Sequence, residues 1–247
     1  MKRRILIIKG QSNSINELKN DKKYISCYID YFKSHAGGCY EDDEIISLEE
    51  PSLNEIKIHN RDIDSSDSLI VLLLGHGATS NGKHVFQLQK NVIINPGQLI
   101  FKTRIQLFIV ESCRNIINKI SVKKINNTTP KFKYGGLFDL DKRPKTKHEV
   151  IEAYNKAISA SNDGCTYLFS ANVNQEAYNY YFLRYLVTTA LDKHQYTTCD
   201  HVFSIEEMFD LVKNKVQDKC LKTPGIKAKQ TPIMTGKGDF PFVVSIM

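Results

Sequence analysis

The sequence predicts an α/β protein with a mostly parallel central sheet and helices on both faces. Three observations carry this reading. Leu69-Ile-Val-Leu-Leu-Leu74 and Ile105-Gln-Leu-Phe-Ile-Val110 are near-continuous apolar runs bounded by polar residues or glycine, the pattern of strands buried on both faces. Arg4-Ile-Leu-Ile-Ile-Lys9, closed by Gly10, is a third such run. Helical stripes lie between the runs, and strand alternating with helix is the order of a parallel sheet with right-handed crossovers.

The elements follow in order. After the first strand, Asn20-Asp21 has the residue types of a helix cap, and Tyr24, Ile25, Tyr28, Ile29 and Phe32 form one stripe ending at Gly37-Gly38. Residues 44–48 are a second strand. Ser52-Leu-Asn-Glu55 has capping-box spacing and opens a short helix to about Asn60. Beyond Gly77, Asn81-Gly82 and residues 84–88 and 92–94 predict small hairpin strands outside the main sheet. Asn95-Pro96 predicts a helix of one or two turns over residues 97–102. From residue 118 to 147 periodicity is lost. It resumes with the stripe Val150, Ile151, Tyr154, Ala157 and Ile158, then a strand over 165–171. Asn174 is read as the cap of a long helix through Leu191. Ser204-Ile-Glu-Glu207 is a second capping box, and residues 231–234 and 240–246 are the last strands.

Composition narrows the function classes. The chain has 247 residues, 41% hydrophobic and 25% charged, enough to bury a substantial core. No apolar run approaches the roughly 20 residues of a membrane span, and the N-terminal run is short for a signal peptide, so a cytoplasmic protein with no membrane partner is expected. Six cysteines scattered without a CxxC pair fit reduced thiols. The formal charge of +7 arises in one stretch: residues 102–147 hold twelve Lys/Arg against three Asp/Glu, which leaves the remainder at −2. That stretch lacks the interleaved aromatics of a single-strand binder, so nucleic acid is disfavoured as a partner.

The chemistry gathers at the ends of two strands. His76 follows the 69–74 run between two glycines, and Cys113 follows the 105–110 run. Ligand clefts of parallel sheets form at the carboxyl ends of the strands, so both side chains are expected at one rim as a Cys/His dyad. His76 would take the thiol proton and return it to the leaving amine. Glu111 is two residues before Cys113, on the same side of the strand. A carboxylate in a partly dry cleft calls for a cation. Taken singly, Cys113 is a buried structural thiol, His76 a turn histidine and Glu111 half of an ion pair with Arg114 or a lysine.

An apolar strand ending His-Gly, followed by one ending acid-x-Cys, resembles the caspase, metacaspase, legumain and clostripain group of cysteine peptidases. Glu111-Ser-Cys-Arg-Asn115 is similar to the Asp-Ala-Cys-Arg-Asn form of small bacterial caspase-like proteins, and departs at Glu111 and Asn115 from the Gln-Ala-Cys-x-Gly of animal caspases. The resemblance covers residues 3 to about 115 well and the remainder loosely. It implies a caspase-like three-layer sandwich in a single domain: a large-subunit-like part to residue 117, a basic linker over 118–147 and a small-subunit-like part from 148. It also implies an oxyanion hole from the amides of Gly77 and Cys113. The metacaspase acid at the position of Glu111 accompanies cleavage after Arg or Lys, so that specificity is expected here. Asn172-Val-Asn-Gln175 resembles the stretch whose backbone holds an extended substrate, which makes Asn172, Asn174 and Gln175 candidate substrate contacts. Asp139 and Asp141 are candidates for a second pocket wall. Small proteins of this group often serve in regulated cell death or defence.

The linker basics Lys119, Lys123, Lys124, Arg143, Lys145 and Lys147 are candidate self-cleavage points, or a solvated loop. A protein substrate is the expected partner, with a homodimer through residues 240–246 as a second. No cofactor is expected. Asp42-Asp43-Glu44 has calcium-type ligands but reads as solvated surface, and His194, Cys199, Asp200 and His201 match no zinc spacing, so no metal site is assigned. The competing class is a catalytically silent caspase-like scaffold that binds a partner through the same cleft, and a nucleic-acid enzyme or adaptor comes third.

Overall fold

The computed structural model describes residues 1–99, 101–114, 145–223 and 229–246. Strand β1 (Arg3–Lys9) has Ile5, Leu6, Ile7 and Ile8 fully buried, so both of its faces are covered, as its unbroken apolar run requires. Helix α1 (Ile15–Lys33) begins earlier than the Asn20-Asp21 expectation. Ser14 is the cap, its hydroxyl accepting the Glu17 N–H at 3.2 Å. Asp21 is instead a buried residue inside the helix, on the stripe with Ile25, Tyr28, Tyr31 and Phe32.

Strand β2 (Ile45–Glu49) pairs in parallel with β1. Helix α2 (Leu53–Ile58) opens with the Ser52/Glu55 capping box, and α3 (Asn60–Asp64) continues from it. Strand β3 (Ser68–Leu74), every residue buried, lies on the other side of β1. A separate antiparallel sheet follows, made of β4 (Gly77–Ser80), β5 (Lys83–Gln89) and β6 (Val92–Ile94). The helix expected after Asn95-Pro96 is a single 3-10 turn, Pro96–Gln98. Strand β7 (Ile105–Glu111) then pairs with β3 in parallel.

The expectations placed on residues 118–144, with Lys119, Lys123, Lys124, Asp139, Asp141 and Arg143, lie outside the described residues. The end of the expected linker is the start of α4 (Lys147–Ala160), capped by Thr146 and Glu149. Strand β8 (Gly164–Phe169) follows. Asn174 does not cap a helix: α5 (Tyr181–Tyr196) starts only at Tyr181, because Asn174, Asn179 and Tyr180 hold left-handed φ values of 61°, 46° and 53° that a right-handed helix cannot contain. Strand β9 (His201–Ser204) leads through the Ser204/Glu207 capping box into α6 (Ile205–Lys222). Strands β10 (Ile233–Lys237) and β11 (Pro241–Ser245) complete the order.

The main sheet runs β10-β8-β7-β3-β1-β2, parallel except for β10 at one edge. Side chains alternate across it. Ile5, Ile7, Ile70, Leu72, Leu107 and Ile109 face one layer, built from α1, α4, α5, α6 and β11. Leu6, Ile8, Val71, Leu73, Phe108 and Val110 face the other, where Ile56 of α2 and Ile63 of α3 pack beside Phe86, Leu88 and Ile94 of the small sheet. This is a mixed α/β sandwich of three layers, with the second face shared between short helices and hairpin strands. β11 belongs to neither edge of the main sheet. It pairs with β9 and all five of its residues are buried. Among the described residues, no helix is long and apolar enough to cross a membrane.

Candidate active site

Register positions the site. In the β3/β7 ladder Leu74 lies opposite Glu111, and the Gly75 N–H donates to the Glu111 carbonyl at 3.2 Å. His76 and Cys113 are the residues just past these partners, so they leave neighbouring strands at the same rim of the sheet. Two glycines permit the crossing. Gly75 has φ +154°, and a Cβ there would stand 3.2 Å from the Cα of Gly10. A Cβ on Gly77 would fall 2.5 Å from Ser112 Oγ, which measures how closely β4 is laid against the cysteine loop. Thr79 Oγ1 donates to the Arg114 carbonyl at 2.9 Å and fastens the same two segments one turn further out.

The His76 ring is held from α1. Its Nε2 is 2.8 Å from Glu17 Oε1 and 2.8 Å from Asn13 Nδ2. Glu17 Oε2 accepts the Asn13 N–H at 2.7 Å. Burial pushes the Glu17 carboxyl upward, but the bond to His76, its charge and the Asn13 N–H outweigh that and hold the group below the usual carboxylate range. Sequence reading missed Glu17 and Asn13. The available signal was Ser14-Ile-Asn-Glu17, a capping spacing just past the first strand that places an acid in the first turn of α1.

Cys113 is half-buried, and its Sγ accepts the Ala177 N–H at 3.4 Å. Burial pushes the thiol up to about 11. The Ala177 N–H opposes this, while the charges of Glu176, Glu111 and Glu17 add to it. Three acidic side chains from three different segments therefore bear on one sulfur when ionised.

Glu111 is 4% exposed, and its carboxylate accepts the Leu183 N–H in the first turn of α5 at 3.2 Å. Burial pushes its carboxyl up to about 8, against the Leu183 N–H and the Ser170 side chain. Among the described residues its partners are thus a helix N-terminus and a hydroxyl rather than a cation, and no ion pair with Arg114 forms. Arg114 instead lies over the Phe169 ring, its guanidinium carbon 4.3 Å from the centroid.

The candidate substrate stretch lies against the cysteine loop. The Arg114 N–H donates to the Gln175 carbonyl at 2.9 Å, and the Asn174 N–H donates to the Arg114 carbonyl at 2.8 Å. The Gln175 side-chain carbonyl accepts from Thr231 N–H at 2.7 Å, and Asn172 Oδ1 from Val173 N–H at 2.7 Å. These groups are engaged within the chain in this conformation. On the opposite side of the strand, Ser112 Oγ meets His84 Nε2 at 3.0 Å in a buried pair. Burial, and then the Arg114 charge, depress the His84 imidazole to about 3, so it is neutral at ordinary pH.

The other polar clusters are engaged elsewhere. Glu44 pairs with Arg3 at 2.8 Å and Asp42 pairs with Lys33. His194 Nδ1 is 2.6 Å from the Val244 carbonyl, and His201 pairs with Glu207 at 2.9 Å. Among the described residues, no group of three or more His, Cys, Asp or Glu is arranged to hold a metal ion.

No family model and no curated protein matches the sequence. The structure is similar to the crystal structure of caspase-1 from Spodoptera frugiperda, with a TM-score of 0.48 and 14% identity, over 95% of this chain and 86% of that one.

Proposed function

We propose that the chain is a cysteine endopeptidase in which Cys113 is the nucleophile and His76 the general base and acid. The observation that carries this reading is the parallel β3/β7 register, with Leu74 opposite Glu111, which delivers an imidazole and a thiol from adjacent strand ends to one rim. In the reaction the Cys113 proton passes to His76 and the thiolate attacks the scissile carbonyl carbon. The oxyanion is held by the Gly77 and Cys113 amides, and collapse expels the amine with the proton from His76. Water then hydrolyses the thioester, with His76 again as base.

Cleavage after Arg or Lys is the specificity that fits this surrounding. Glu111 and Glu176 both bear on the thiol. A P1 cation brought beside them would offset the Glu176 charge, draw the raised Glu111 carboxyl toward its ionised form as a counter-ion and favour the thiolate, whereas a P1 aspartate would add a like charge. The substrate is a protein or peptide, and self-cleavage at a basic residue of the 118–147 segment follows the same specificity.

Fluorogenic peptides ending in Arg, Lys or Asp, incubated with wild type and Cys113→Ala, test the reading. Cys113-dependent turnover of the Arg and Lys peptides is expected. A folded wild type that turns over no peptide is instead the silent scaffold, and turnover that survives Cys113→Ala removes the mechanism.

A further inference from the structure

We propose that Glu17 is the positioning residue of this site: it holds the His76 ring through Nε2 and so turns Nδ1 toward Cys113. This rests on the peptidase reading above and adds a residue that the dyad does not contain. The geometry is specific. Glu17 Oε1 lies 2.8 Å from His76 Nε2, and the other carboxylate oxygen is fixed by the Asn13 N–H at 2.7 Å, so the carboxylate is held at both oxygens. Its backbone is set by the Ser14 cap at the start of α1, at the same end of the sheet as Lys9 of β1, which lies opposite Leu74 of β3. Glu17 is only 14% exposed and His76 23%, which limits screening by solvent.

The choice of nitrogen follows from proton accounting. A carboxylate accepts but does not donate, so the Glu17 contact requires the proton on Nε2 and leaves the lone pair on Nδ1. In the acylation step the Cys113 proton moves from Sγ to Nδ1, giving an imidazolium whose Nε2–H remains bonded to Glu17. When the tetrahedral intermediate collapses, Nδ1 passes the proton to the leaving amine. Glu17 neither gains nor loses a proton over the cycle; it fixes the tautomer and offsets the transient positive charge. The need is acute here, because the thiol is pushed upward by burial and by neighbouring acids, and a stabilised imidazolium favours its ionisation. Asn13 Nδ2, at 2.8 Å from the same Nε2, is a donor and calls for the opposite tautomer, so a proton on Nε2 requires the Asn13 amide to be turned with Oδ1 toward the ring, and the two neighbours of Nε2 compete to set its protonation.

The test combines kinetics with a tautomer measurement. Glu17→Gln keeps the shape and can still accept the Asn13 N–H, but removes the charge. It is expected to lower kcat on an Arg-ended peptide by about 100-fold with KM little changed, and Glu17→Asp is expected to restore part of the loss. Long-range proton–nitrogen NMR of histidine-labelled Cys113→Ala protein is expected to show His76 as the Nε2–H tautomer, and Glu17→Gln in that background to abolish this preference. A Glu17→Gln enzyme with wild-type kcat, or a His76 ring protonated at Nδ1 with Glu17 present, overturns the proposal alone. A wild type without turnover overturns the peptidase reading and, with it, the role given to Glu17. If Glu17→Gln does not fold, the tautomer in Cys113→Ala protein decides.

Discussion

The Leu183 N–H donates to the Glu111 carboxylate at 3.2 Å and ties the first turn of α5 to the strand that leads into Cys113. Helix α5 has no side-chain cap of its own, since Tyr180 at the capping position is left-handed and offers no acceptor. Glu111 supplies that acceptor from the sheet below. The same bond connects the cysteine loop to the 172–180 segment, because α5 is where that segment ends.

Glu111 therefore makes stability depend on pH. Its carboxyl is raised from an ordinary 4.5 to about 8 by burial, so the folded state keeps a proton that the unfolded chain releases near 4.5. The contribution is complete below pH 4.5 and is lost as pH rises to about 8. Glu111→Gln preserves the acceptor and removes the titration. Thermal unfolding should show this contribution to wild-type Tm falling between pH 4.5 and about 8, a flatter profile for the variant, and a variant Tm higher by several degrees above that window. Parallel profiles would contradict the assignment.

Gly77→Ala is expected to damage the site from the histidine side. The added Cβ would lie 2.5 Å from Ser112 Oγ, 2.8 Å from Ser112 Cβ and 2.9 Å from His84 Cε1, so β4 must withdraw from the cysteine loop. Overpacking of this kind costs about 1–3 kcal/mol. Denaturant unfolding should register that loss, and peptide turnover should fall more than the loss of folded protein explains.

Ser112 and His84 form a buried pair on the far side of the same strand, at 3.0 Å. Ser112→Ala leaves the His84 nitrogen without its hydroxyl and is expected to cost about 1–3 kcal/mol. His84→Phe, placed against the Phe169 ring 5.2 Å away, removes the polar group itself. In a double-mutant cycle, Ser112→Ala should cost less in the His84→Phe background than in wild type. Additive losses would show that the pair is not coupled.

The His84 imidazole also sets a second pH dependence, of opposite sign to that of Glu111. Its folded-state value is depressed to about 3 from an ordinary 6.5, so its contribution is present above pH 6.5 and is lost as pH falls toward 3. Acid unfolding of His84→Phe should accordingly be shifted to lower pH than that of wild type.

The central sheet was legible because β1, β3 and β7 are buried on both faces and so read as near-continuous apolar runs of strand length bounded by polar residues or glycine. The rim position of His76 and Cys113 followed from the same runs. Two helix starts were not legible. In α1 the first turn is Ile15-Asn-Glu-Leu18, with Ile15 exposed, so the apolar stripe starts later than the helix and only the Ser14 cap marks its true beginning. In the stretch before α5, Asn174 has the residue type of a cap but takes a left-handed turn, which asparagine tolerates for the same reason that it caps well. Alternation assigned Glu111 to the side of Cys113. It did not show that a helix N-terminus covers that side, and a carboxylate beneath amide donors is satisfied without a cation. Glu17 and His76 come from segments far apart in sequence, which follow β1 and β3, strands that pair side by side in the sheet.

The central claim is that one thiol, served by one imidazole, attacks a carbonyl beside a basic residue. An acyloxymethyl ketone carrying a P1 arginine tests this directly, with the modified residue located by peptide mass spectrometry. The account predicts a single stoichiometric adduct on Cys113, slowed at least about 100-fold by His76→Ala and competed by an Arg-ended peptide but not by an Asp-ended one. An adduct on any other of the six cysteines, or labelling of Cys113 that is indifferent to His76, would contradict it.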